Sequence, residues 1–177
     1  SKIWKDFFKN NMELCNIYIH CYDPENVTDK FTKQYVCDKT IKTSWGDIAD
    51  ALKYLLQLSV DDNNIKHIIV SESTIPIKNF KYVYNYLIKD DKSNFPYQSH
   101  LVKNSGEQGT LLMNLHRYIT NCNAIPEFCK KISIKHWYWN PTWVIFNTKH
   151  ANLFIKKSKY YQYFKTAFGA DENYPSF

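Results

Sequence analysis

Apolar positions gather most densely in the run Ile65-Lys66-His67-Ile68-Ile69-Val70, which passes directly into the polar stretch Ser71-Glu72-Ser73-Thr74-Ile75-Pro76. The β-branched run predicts a strand covered on both faces, where apolar residues follow one another instead of alternating. Pro76 restrains Ile75 to an extended conformation, so the next helix starts only beyond it. Upstream, Ile48, Ala51, Leu52, Leu55, Leu56 and Leu58 recur at helical spacing, which predicts an amphipathic helix over 45–58. Ser44 is expected to cap it, with Asp47 acting as a short capping-box acid. Asp61-Asp62-Asn63-Asn64 has the composition of a turn that separates helix from strand. A helix followed by a buried strand is half of a parallel crossover unit, and Asn16-Ile17-Tyr18-Ile19-His20 is a second strand of the same kind. On one sheet these strands would present His20 and Ser71 to Ser73 along a common edge, and ligand crevices of open α/β sheets lie outside the carboxyl ends of the strands.

The remaining pattern is less regular. Trp4, Phe7 and Phe8 give a short amphipathic helix over 3–10, and Phe80, Val83, Tyr84 and Leu87 give another after Pro76. Residues 23–38 read as loop with a short extended piece over 34–37. The polar segment 89–109, with Pro96, Gly106 and Gly109, reads as an exposed loop. Helical pieces are expected over 111–129, a strand over 143–146, a helix capped by Thr148 that carries Ala151, Leu153, Phe154 and Ile155, and a last aromatic helix over 160–168 ended by Gly169.

A length of 177 residues at 44% hydrophobic content suits one domain over 1–177. No stretch is long and apolar enough to span a bilayer, so membrane attachment would need segments outside this chain. The net charge of +6 rests on lysine, with Arg117 the only arginine. Bidentate readout of duplex DNA favours the guanidinium fork, so a nucleic-acid partner is not expected. An anionic small ligand such as a nucleotide fits better, beside a plain solvated lysine surface. Cys15, Cys21, Cys37, Cys122 and Cys129 are odd in number and lack zinc spacing, and the histidines are scattered, so no metal is expected. The bias toward lysine, asparagine and isoleucine is that of an AT-rich genome, as in a large virus or a protist.

Taken as a series, Ile17-Tyr18-Ile19-His20, Ser44-Trp45-Gly46, Ile69 to Pro76, Phe80-x-x-Val83-Tyr84-x-Tyr86-Leu87, Trp139 to Trp143 and Asp171-Glu172-x-Tyr174 resemble the core-2/I-branching enzyme and xylosyltransferase family. The resemblance implies an α/β chain with the GT-A nucleotide-sugar fold, a mixed, mainly parallel sheet flanked by helices. It implies an inverting, metal-independent transfer of a GlcNAc- or xylose-type sugar from a UDP-sugar donor to a hydroxyl of a glycan or protein, with no cofactor. Glu172 matches the family's general base. Asp171, His20, Trp45 and Ser71-Glu72-Ser73, the last in place of an Asp-x-Asp motif, are implied on the donor side. Trp137, Trp139 and Trp143 are candidates for stacking on the acceptor.

The chain departs from the family pattern at His136, where a basic residue is usual, and at Asn140-Pro141-Thr142, where Gly-Ser-Gln is more common. The family's first strand and its diphosphate-binding arginine and lysine have no counterpart, which leads to the expectation of a fragment of a longer protein. Structural uses remain open beside each functional one: Ser71 to Ser73 suit a helix cap, the tryptophans suit a core, and His20 suits a hydrogen-bonded strand end. The rival function is a non-catalytic carbohydrate- or nucleotide-binding domain derived from such an enzyme. The resemblance points to a Golgi or ER lumen and a viral origin to host cytoplasm, so localisation stays open.

Overall fold

Two helices packed on a short antiparallel ribbon form the core of the computed structural model, which describes residues 2–44, 47–96, 98–99, 138–139 and 143–156. In chain order the elements are α1 (Lys2–Phe8), α2 (Lys30–Lys33), α3 (Ala49–Asp61), β1 (Lys66–Ile68), α4 (Phe80–Ile88), β2 (Gln98–Ser99), β3 (Tyr138–Trp139), β4 (Ile145–Asn147) and α5 (Thr148–Lys156). Short 3-10 turns at Met12–Leu14 and Pro24–Asn26 interrupt the first loops. The fold is thus mixed α/β.

The apolar stripe of α3 behaves as its spacing predicts. Ala51, Leu52 and Leu56 are buried, and the helix packs on α5, which contributes Ala151 and Phe154. Val144 and Phe146 complete this core, with Leu56 and Val144 each only 1% exposed. The start of α3 differs from expectation. Ser44 and Asp47 close a tight turn on each other through reciprocal backbone bonds of 3.2 and 3.0 Å, and Ile48 occupies the N-cap without a side-chain bond. Asp47 itself is committed to that turn, which leaves Ser44 too far from the first helical turn to cap it. At the other end Asn63 takes φ 59°, a left-handed conformation that asparagine tolerates, and reverses the chain into β1.

β1 pairs antiparallel with β4, Lys66 opposite Asn147, His67 opposite Phe146 and Ile68 opposite Ile145. The expected parallel crossover between α3 and its strand is therefore not the pairing found here. Asn94 lies along the other edge of β4, exchanging bonds of 2.8 and 2.9 Å with Ile145, so part of the presumed loop over 89–109 is strand-like. Gln98–Ser99 in the same segment pairs antiparallel with Tyr138–Trp139. Burial of β1 also departs from expectation: His67 is buried, whereas Ile68 and Val70 are about half exposed. Among the described residues, helices cover only the His67 face, and the strand alternates as a one-sided ribbon does.

The segment 16–20 forms a single parallel bridge, Ile19 with Val36, in which Ile19 N–H donates to Tyr35 O and Cys37 N–H to Ile19 O. The extended piece over 34–37 is thus present. Asp29 caps α2 by accepting the Thr32 N–H within the region read as loop. The two amphipathic helices near the start and after Pro76 dock together. Phe7 and Phe80 rings lie 5.4 Å apart, Trp4 stacks on Phe8 at 5.5 Å, and Phe80 stacks on Tyr84 at 5.8 Å. Asn79 caps α4 by accepting the Tyr82 N–H at 2.9 Å.

At α5 the cap is Asn147 and not Thr148. Asn147 Oδ1 accepts the His150 N–H at 2.8 Å, its Nδ2 donates to Asp91 O, and Thr148 turns its hydroxyl to Asn64 O. Helices expected over 111–129 and 160–168 lie outside the described residues.

Candidate functional site

The carboxyl end of β1 leads into a closed hydroxyl-rich turn. Ile69 N–H still bonds Val144 O at 3.0 Å; two residues later Ser71 begins a turn that Thr74 closes, with Thr74 N–H on Ser71 O at 3.1 Å. Ser71 N–H donates in return to Thr74 Oγ1 at 3.2 Å. The Ser71 hydroxyl sits 3.0 Å from Ser73 Oγ and 3.1 Å from Thr74 Oγ1. Thr74 was not among the residues singled out from sequence; its spacing of three from Ser71 is the signal that could have found it. The Trp4 indole N–H anchors the turn from outside by donating to Thr74 O at 3.1 Å, so α1 fixes the loop as well as α4.

This geometry settles one structural alternative. None of the three hydroxyls caps α4, because Asn79 does so. The turn instead holds three convergent hydroxyl groups, with Glu72 and Ser73 exposed to solvent and Ser71 half-buried. Hydroxyls serve phosphate or ribose oxygens as donors, and an exposed carboxylate accepts from sugar hydroxyls.

Trp143 comes close to this turn through the ribbon. The register that sets Ile68 opposite Ile145, continued two residues, sets Val70 opposite Trp143, one residue before Ser71. Its side chain is 54% exposed, which leaves a large aromatic surface beside the hydroxyl turn instead of in the core. His20 is placed differently. Its Nε2 lies 3.0 Å from Ile41 N and 2.9 Å from Ile41 O, accepting or donating according to tautomer, so the ring is tied to the loop after the Ile19–Val36 bridge. Among the described residues no ladder joins that bridge to β1; the common sheet edge expected for His20 and Ser71 is not formed there. Trp45, Trp137, Asp171 and Glu172 lie outside the described residues, as does the side chain of Trp139.

Cys15, Cys21 and Cys37 are free thiols, and burial raises the pKa of Cys15 and Cys37, which favours the unreactive protonated form. No group of three or more His, Cys, Asp or Glu able to hold a metal occurs among the described residues. No helix there is long and apolar enough to cross a membrane.

A family model described as Core-2/I-Branching enzyme matches residues 1–176. The chain belongs to that family. Its members are glycosyltransferases, so the partners the family implies are a nucleotide sugar and a glycan acceptor. No curated protein and no solved structure matches the chain significantly. For a Core-2/I-Branching chain the hydroxyl turn after β1, with Trp143 next to it, is the described feature whose groups suit sugar and phosphate chemistry.

Proposed function

We propose that this Core-2/I-Branching chain is an inverting glycosyltransferase domain of GT-A type. It moves a GlcNAc- or xylose-type sugar from a UDP-sugar to a hydroxyl of a glycan or protein. The observation that carries this reading is the family match over residues 1–176. The placement of Ser71, Glu72 and Ser73 in an accessible turn at the carboxyl end of a strand supports a donor-binding role for them, with Thr74 as a fourth member. Trp143, exposed beside that turn, supports an acceptor-stacking role.

In the proposed step Glu172 removes the proton from the acceptor hydroxyl as its oxygen bonds to the anomeric carbon. The bond from that carbon to the diphosphate oxygen breaks on the opposite face, so UDP leaves with the bonding pair and the anomeric centre inverts. A glutamate near its ordinary pKa of about 4.3 is already ionised at neutral pH. Positioned proton transfer of this kind contributes about 10² to 10⁴ in rate. No metal enters the proposed step.

The test is a panel of UDP-sugars and glycan acceptors, with UDP release and the anomeric configuration of the product followed by proton NMR, with and without EDTA. Product of inverted configuration, formed equally with chelator, is expected. Retained configuration or loss of turnover with EDTA would contradict the mechanism, and donor binding without any release would point to a non-catalytic binding domain.

A further inference from the structure

We propose that His67 is an acid-sensitive latch: its neutral imidazole, buried between β1 and α3, holds the strand against the helix, and its protonation frees the strand together with the Ser71–Thr74 turn. Three observations place the latch. His67 is 4% exposed. Its Nδ1 lies 2.7 Å from Ser59 Oγ on α3, a bond that closes the helix on the strand across the Asp61–Asn64 turn. Its Nε2 is buried and has no hydrogen-bond partner, the only such side-chain atom among the described residues.

The neutral imidazole fits this site with Nδ1–H donating to Ser59 Oγ and Nε2 left unprotonated. The cation does not, since it buries a charge, and its Nε2 proton would face no acceptor among the described residues. Among the described residues, the charged groups on the neighbouring elements offer no counter-charge. On α3, Asp61 is bonded by Gln57 and Asp50 and Lys53 lie away from the buried face. Asp62, just after α3, accepts a hydrogen bond from the Tyr18 hydroxyl, and Lys66 on β1 turns to Lys92 O. β4 places Phe146 opposite His67. On α5, Lys149 and Lys156 are exposed, and His150 is engaged with Ser93 at 2.7 Å. Burial alone pushes the His67 pKa down.

The sign follows directly. An unfolded or opened histidine takes up a proton near pH 6.5, whereas the folded one resists it. The closed form is therefore fully favoured above about pH 6.5 and loses ground as pH falls from there toward the depressed folded value. With one proton taken up on opening, the opening equilibrium constant rises toward tenfold per pH unit in that window. The turn that the latch releases is the one proposed above for the donor, so the effect on activity rests on that reading, whereas the opening of β1 does not.

The experiment measures amide hydrogen exchange at Ile69, whose N–H donates to Val144 O, between pH 7.5 and 5, corrected for intrinsic exchange, in wild type, in His150→Gln and in the double variant His67→Phe with Ser59→Ala. The double variant replaces both partners by apolar groups, a change that leaves packing nearly neutral. Wild type and His150→Gln are expected to lose protection by about tenfold per unit below pH 6.5 and the double variant to stay flat. Equal pH dependence in the double variant overturns the latch. Should that variant not fold, the imidazole nitrogens of the wild type are titrated by NMR: protonation of His67 at pH 6 without loss of protection overturns it equally. Loss of protection without any change in UDP affinity upholds the latch and counts against the donor role of the turn.

Discussion

Replacing Leu56 by alanine tests whether the α3–α5 contact holds the described core. Leu56 sits at the middle of the buried face of α3 and is 1% exposed. The substitution removes three side-chain carbons, and at about 0.8 kcal/mol for each buried carbon the transfer loss is about 2.4 kcal/mol. Walls formed by two helices and a ribbon relax only partly, and the residual cavity raises the cost to about 3–5 kcal/mol. Leu153 on α5 is the control, since it is 50% exposed and its truncation is expected to cost about 1 kcal/mol or less. Urea unfolding followed by tryptophan fluorescence separates the two. With a slope of about 2 kcal/mol per M, Leu56→Ala moves the midpoint down by about 1.5–2.5 M and Leu153→Ala by about 0.5 M or less. Equal shifts for the two variants would refute this placement of the core.

Asn147→Ala removes the α5 cap and the bond to Asp91 O together, at about 1 kcal/mol each, so a loss of about 2 kcal/mol is expected in the same urea assay; Thr148→Ala, which loses only the bond to Asn64 O, is expected to cost about 1 kcal/mol, and the reverse order would make Thr148 the cap. The Tyr18 hydroxyl, which donates to Asp62 and accepts from Asn64 Nδ2, has its pKa pushed up to about 12 by burial and by the bond to the Asp62 carboxylate, with the Asn64 bond opposing. The folded state thus keeps a proton that the unfolded chain gives up near pH 10, so stability is full below pH 10 and falls as pH rises toward 12. Tyr18→Phe should flatten that part of the profile, and an unchanged slope would assign it to other groups.

Sequence alone located most of the described elements because their signals are local. The spacing of Ala51, Leu52 and Leu56, the pairing of Phe80 with Tyr84, and the β-branched run before Ser71 each depend on neighbours within a turn or two. Helix starts were harder, because several residues compete for the same cap. Ser44 and Thr148 are good capping residues by type, yet Ser44 is consumed by a turn with Asp47 and Thr148 by Asn64 O. The covering of β1 was not legible either. Ile68 and Val70 look like core residues from composition, but the faces of a strand are decided by which helices land on it, and those arrive from far along the chain. The same holds for the Ser93–His150 bond, which spans 57 residues. At the candidate site the serines were visible as a cluster, whereas their closure by Thr74 and the approach of Trp143 depend on strand register.

The direct measurement is single-turnover transfer by wild type and Glu172→Gln, each saturated with UDP-sugar, with UDP affinity measured in parallel. A general base at Glu172 predicts that the variant is slower by about 10² to 10⁴ while binding UDP as tightly as wild type. A variant that keeps its rate within a few-fold would contradict the assignment of Glu172.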